Sequence, residues 1–393
     1  MIPLMKNAFL NEHATKQALA DFIIKTQKFS MGEECHKFER KFSNFQKRSE
    51  SILFNSGGSA NLALLQALKN LGKLKSGDYV GFSALTWSTN IMPIIQMDLI
   101  PVPVDCSVQN LNVGSEQLLK TLESYDIKAL FITNVLGFVS DIEKVRDVCN
   151  DKGIILLEDN CESLGTVTNQ GNMTGNFGLA STFSFFVAHH MSTIEGGMIC
   201  TDDEELSEML KIVRANGWDR NLNAFQQAKW RKKYNIESEF QAKYSFYDLG
   251  FNFRPTEITG FLGSFQLDFL EENIKAREKN YKLINEYISK NDDLLPLDYS
   301  NLKIVSTFAI PIVCKTPELR NHYINQFSGA GIEIRPMIAG NIQRQPFYSK
   351  YVKNVVELPN TDFIDRNGFY CGNYPELTND DLQVIISSIL KIG

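Results

Sequence analysis

Ser184-Phe185-Phe186-Val187-Ala188-His189-His190-Met191-Ser192-Thr193-Ile194-Glu195-Gly196-Gly197 joins two short runs rich in β-branched and aromatic residues, 181–185 and 198–201, which read as strands. Working outward toward the N-terminus, similar runs at 51–55, 79–82, 99–104, 129–133 and 154–158 alternate with stretches of helical spacing at 60–71, 116–125 and 142–152. A further helix is expected at 203–215. This alternation predicts βαβ units and an α/β fold with a mostly parallel central sheet. Two short helices, 14–25 and 35–47, precede it. Beyond 216–247, aromatic and charged without clear period and read as a long loop over a site, helical spacing is nearly unbroken from 256 to about 290. Runs at 303–313, 317–327 and 331–335 and a last helix after Thr378 then predict a smaller C-terminal α/β lobe. The expected division is 1–255 for the large domain and 256–393 for the connecting helix and small domain. There is no internal repeat and no low-complexity segment.

The 393 residues are 43% hydrophobic and 22% charged, the balance of a folded globular chain. A net charge of -6 with scattered lysines and arginines argues against nucleic acid or an anionic membrane as partner. No apolar run approaches spanning length and the N-terminus turns polar early, so a cytoplasmic protein is expected. Seven widely spaced cysteines without a C-x-x-C pair read as reduced thiols.

Several segments carry candidate chemistry. Asn55-Ser56-Gly57-Gly58-Ser59-Ala60-Asn61 follows a strand and opens a helix, where free N–H groups can hold a phosphate; on its own such a stretch is more often a plain turn. Trp87, in Thr86-Trp87-Ser88-Thr89-Asn90, follows another strand end and is either a ring-stacking indole or a core residue. Glu158, Asp159 and Glu162 follow an apolar strand, and a carboxylate there can pair with a protonated ring nitrogen or cap a helix. Ser184 can bind a phosphate or be satisfied by backbone, and His189 taken alone reads as an ordinary core or surface histidine.

What changes that reading is order and spacing together. The 184–197 stretch resembles the DegT/DnrJ/EryC1/StrS family of sugar aminotransferases, whose members read S-F-x-x-x-K, then five residues, then E-G-G. His189, not His190, falls on the lysine position, and no lysine occurs between Lys152 and Lys211. Gly250-Phe251-Asn252-Phe253-Arg254 is similar to the family's G-Y-N-Y-R. The segment from Arg335 to Phe347, with Asn341 and Arg344 in Gly340-Asn341-Ile342-Gln343-Arg344-Gln345-Pro346, resembles the branch in which histidine replaces lysine: the 3-dehydratases of nucleotide-bound 4-keto-6-deoxyhexoses.

The resemblance implies an aspartate-aminotransferase-like fold, of the type I class of pyridoxal-phosphate enzymes, and a pyridoxamine 5'-phosphate or pyridoxal 5'-phosphate cofactor. It implies that Gly57, Gly58, Ser59 and Ser184 hold the phosphate, Trp87 stacks on the ring, Asp159 meets the ring nitrogen and Glu162 lies near the phenolic oxygen, where many relatives carry Gln. Asn252 would reach the phosphate of a neighbouring subunit in a homodimer with shared sites. Arg254, Arg335, Asn341 and Arg344 would hold the nucleotide sugar, or are solvated charges. Histidine cannot tether the cofactor but still moves protons, so the implied reaction is loss of the C3 hydroxyl, with L-glutamate returning the cofactor to its amino form. A nucleotide-sugar aminotransferase using a distant lysine is the alternative, and a non-catalytic relative is a third reading. An iron–sulfur 3-dehydrase is disfavoured. Asp219 and Asn221 stand where that type carries cysteines, and none lies between Cys200 and Cys314. No other metal site is expected.

Overall fold

The computed structural model describes residues 1–390; residues 391–393, the end of the expected second domain, lie outside the described residues. Eight strands come first in chain order: β1 Glu50–Phe54, β2 Tyr79–Ser83, β3 Ile100–Val104, β4 Ile127–Thr133, β5 Ile155–Asp159, β6 Val167–Thr168, β7 Ala180–Ser184 and β8 Gly197–Thr201. All but β6 join one seven-stranded sheet in the order β1-β8-β7-β5-β4-β2-β3. β8 alone runs against its neighbours, paired antiparallel to both β1 and β7. Near-continuous apolar burial along β1, β4 and β8 marks strands covered on both faces. The helix Gly57–Asn70 lies over β7 and β8 and against Glu204–Arg214 on one side. A second core, built on Leu130, Val145 and Tyr281, fills the other.

Four more strands follow: β9 Leu302–Ile304, β10 Ala309–Val313, β11 Ile334–Pro336 and β12 Gly368–Gly372. The last three form a second sheet, order β10-β12-β11, covered by Pro317–Gly329 and Asn379–Ile389 around Ile310, Phe327 and Ile385.

Several expectations need correction. The 216–247 stretch is not one loop. It holds a 3-10 turn at Asp219–Asn221 and helices Ala224–Lys233 and Glu239–Ala242, started by Asn223 and Ser238 as N-caps and anchored by buried Trp230, whose Nε1–H donates to Glu208. The expected run 303–313 is two strands, because β9 leaves the small lobe and pairs with β6. The long helical spine is interrupted by a 3-10 turn at Leu267–Phe269. The helix Ser88–Gln96, with Pro93 inside it, and the strand β12 were not anticipated.

Candidate active site

The parallel strands end on one side of the sheet, where open α/β folds bind ligands. There β1 leads into Asn55 and the helix Gly57–Asn70, β2 into Trp87 and the helix Ser88–Gln96, β5 ends at Asp159, and β7 ends at Ser184. The β7–β8 connection carries His189.

Ser56 caps the first helix: its Oγ accepts the Ser59 N–H at 3.1 Å and donates to Ser59 Oγ at 2.9 Å. With Ser59 so engaged, Gly57 and Gly58 present the N–H groups of the first turn. A Cβ on Gly57 would lie 2.7 Å from the Cβ of Ser184, and one on Gly197 would lie 2.3 Å from the Ser56 carbonyl, so these glycines let cradle and hairpin close on each other. Trp87 is 56% exposed at the rim.

Glu158 and Asp159, neighbours in sequence, face opposite ways as strand residues must. Glu158 is fully buried and accepts N–H groups from Gly175, Phe177 and Gly178, which fastens that loop. Asp159 turns to the site at 3% exposure. Its Oδ2 accepts from Asn61 Nδ2 at 2.9 Å and from Asn90 Nδ2 at 2.7 Å, and its Oδ1 accepts the Cys161 N–H at 2.9 Å. Asn61 and Asn90 are the site residues that sequence reasoning missed: both lie in segments singled out above, yet nothing in spacing reveals that they converge on one oxygen. Glu162 accepts the Leu136 N–H at 3.0 Å, and burial, with a smaller contribution from the charge of Asp159, pushes its carboxyl up to about 8.

His189 Nδ1 lies 3.2 Å from the Ser184 carbonyl. A carbonyl only accepts, so Nδ1 carries the hydrogen and Nε2 is left as a bare acceptor. Phe308 meets the imidazole edge-on at 5.3 Å and Phe186 at 6.1 Å. Burial lowers His189 to about 4, against the opposing pull of the Ser184 carbonyl and the Asp159 charge, so the ring is a neutral base at ordinary pH. His190 is 1% exposed, faces the other way onto the Ser306 carbonyl at 3.1 Å, and is also held neutral by burial.

The remaining candidates do not all converge. Asn252 and Arg254, joined at 3.0 Å, open onto a separate cleft with Lys28, His36 and Arg220. The 335–347 segment docks on the chain that follows β2, Asn341 bridging to Leu85 and the Ile342 N–H donating to the Ala84 carbonyl at 3.2 Å. Within it Asn341 donates to Asp362 at 2.7 Å and Arg344 to the same oxygen at 2.9 Å, while Arg335 pairs with Glu333 at 2.6 Å. Among the described residues no cluster of acids, histidines and cysteines is arranged to hold a metal, all seven cysteines are free thiols, and no helix is long and apolar enough to cross a membrane.

A glycine-opened helix start, an exposed indole and a buried carboxylate gather at the carboxyl ends of a seven-stranded sheet, and the chain belongs to the DegT/DnrJ/EryC1/StrS aminotransferase family, whose model matches residues 11–390. Its fold is the aminotransferase-type α/β architecture anticipated above. Within the family it is 33% identical over 373 residues to GDP-4-keto-6-deoxy-D-mannose 3-dehydratase of Yersinia pseudotuberculosis, covering 94% of each chain. It is likewise 33% identical over 370 residues to the enzyme of that name from Escherichia coli O55:H7, covering 92% of this chain and 93% of the other. A crystal structure of GDP-4-keto-6-deoxymannose-3-dehydratase with a trapped PLP-glutamate geminal diamine superposes with a TM-score of 0.91 at 30% identity, over 99% of this chain and all of that one.

Proposed function

We propose that this chain is a pyridoxamine-phosphate-dependent 3-dehydratase of a nucleotide-linked 4-keto-6-deoxyhexose, with GDP-4-keto-6-deoxy-D-mannose as first candidate and L-glutamate as amine donor. The observation that carries the reading is His189: an imidazole with Nδ1 fixed on Ser184 and Nε2 bare, on the hairpin where the family places its lysine, in a stretch with no lysine at all.

The residues present fit the cofactor. At Gly57 a Cβ would overlap Ser184, so only glycine lets the helix start and the hairpin approach this closely, and Asp159 is a buried carboxylate whose hydrogen-bond partners are the neutral Asn61, Asn90 and Cys161 N–H. Gly57, Gly58, Ser59 and Ser184 would hold the phosphate, Trp87 the ring face and Asp159 the ring nitrogen. Bound there, the cofactor supplies an amine that condenses with the sugar ketone and a sink for the electrons that expel the C3 hydroxyl.

What the chain itself does is move and place protons. Neutral His189 accepts a proton at Nε2 and can return it to the departing hydroxyl, which leaves as water. A lysine here would offer a competing amine; imidazole confines the position to acid–base work. Glu162, with its carboxyl pushed up to about 8, is protonated at neutral pH and can donate a hydrogen bond there, as a Gln side chain could. Arg335, Asn341 and Arg344 would meet the nucleotide sugar, Asn341 and Arg344 exchanging their bonds to Asp362 for it, and Arg254, on its separate cleft, would meet that of a second copy. Asn252, which lies on a separate cleft with Arg254, would in the homodimer that the family resemblance implies serve a second copy's cradle.

The net reaction balances: glutamate and the sugar give 2-oxoglutarate, ammonia and the 3-deoxy-4-keto sugar. The test is the protein loaded with pyridoxal phosphate, supplied with L-glutamate and GDP-4-keto-6-deoxy-D-mannose. Equimolar ammonia and a sugar lighter by one oxygen are expected. A 4-amino sugar formed without ammonia overturns the reading in favour of transamination.

A further inference from the structure

We propose that Asn61 and Asn90 are positioning residues that hold Asp159 as an oriented carboxylate and tie together the three elements expected to touch the cofactor; the proposal rests on the reading of Asp159 as the ring-nitrogen partner. Both amides donate to the same oxygen, Oδ2, and the Cys161 N–H takes Oδ1. Three N–H donors aimed at one carboxylate fix its plane and its direction.

The source of each donor matters. Asn61 lies one turn into the helix whose first residues, Gly57 and Gly58, form the cradle. Asn90 lies in the first turn of the helix that Trp87 precedes. Asp159 Oδ2 is therefore where cradle, stacking indole and acid are joined. Asn61 also makes this contact at a cost that packing alone does not explain. It is fully buried, its Nδ2 is shared between Asp159 and the Thr89 carbonyl at 3.2 Å, and its own Oδ1 has no hydrogen-bond partner. An apolar residue would fill the space without that orphan; the amide donates where a donor is required.

Once a ring nitrogen is bound, its proton can sit on nitrogen, paired with a carboxylate, or pass to Asp159 and leave both groups neutral. Donors to Oδ2 favour the first. The test is the 15N chemical shift of ring-labelled pyridoxal phosphate bound to the full-length protein near neutral pH, without substrate. The native protein is expected to show a protonated ring nitrogen. Asn61→Leu with Asn90→Leu is expected to move the signal toward the unprotonated position, with about a tenfold fall in the ratio of nitrogen-bound to oxygen-bound proton for each donor lost. Asn61→Ser and Asn90→Ser, which keep a shorter donor, should show intermediate shifts. A protonated native signal that is unmoved in the double variant, or in both serine variants if the double variant does not fold, overturns the proposal. An unprotonated ring nitrogen in the native protein overturns instead the assignment of Asp159.

Discussion

Gly57 and Ser184 approach so closely that a single added methyl on residue 57 would lie 2.7 Å from the serine Cβ. Gly57→Ala is therefore expected to push cradle and hairpin apart and weaken pyridoxal phosphate binding about ten- to a hundredfold. Equilibrium dialysis measures this. Unchanged affinity would show that the phosphate is held elsewhere.

Glu162→Gln keeps a hydrogen-bond donor at all pH values. The native carboxyl loses its proton as pH rises through about 8, so native turnover is expected to fall there, while the Gln variant keeps its rate within a few fold at neutral pH and lacks that alkaline limb. Glu162→Ala is expected to lose rate throughout. A limb that persists in the Gln variant would assign it to another group.

His189 and His190 are both held neutral by burial. In the unfolded chain histidine takes up a proton near 6.5, whereas folded His189 resists until about 4 and burial holds His190 well below its ordinary value. The unfolded state thus binds more protons as pH falls below 6.5, and stability is lost from there toward 4. The melting temperature should drop across that window, and less steeply in His190→Gln, whose amide can still donate to the Ser306 carbonyl. Equal slopes would remove His190 from the acid sensitivity.

Much of this was legible because it is written in local order. The helix 142–152 matches the observed Ile142–Lys152, and each expected strand of the large sheet appears within two residues of its place, since short apolar runs between helices have few other uses. His189 stood out through the resemblance of the 184–197 stretch to the family motif, which sets it between Ser184-Phe185 and Glu195-Gly196-Gly197. What stayed hidden depends on three-dimensional convergence. Asn61 and Asn90 meet Asp159 across 98 and 69 positions of sequence. Glu158 and Asp159, read together as an acidic pair, part company because a strand sends adjacent side chains to opposite faces. The helices inside 216–247 escaped because Trp230 buries its ring against Tyr234 and Tyr247, a cluster without helical period.

The claim on which the rest stands is that residue 189 moves protons and tethers nothing. Borohydride reduction of the protein loaded with pyridoxal phosphate, followed by intact-mass and peptide mass spectrometry, tests it most directly. The native protein should carry no covalent pyridoxyl group, and His189→Lys should gain one at residue 189 while losing dehydration. A stable pyridoxyl-lysine in the native protein would contradict the account.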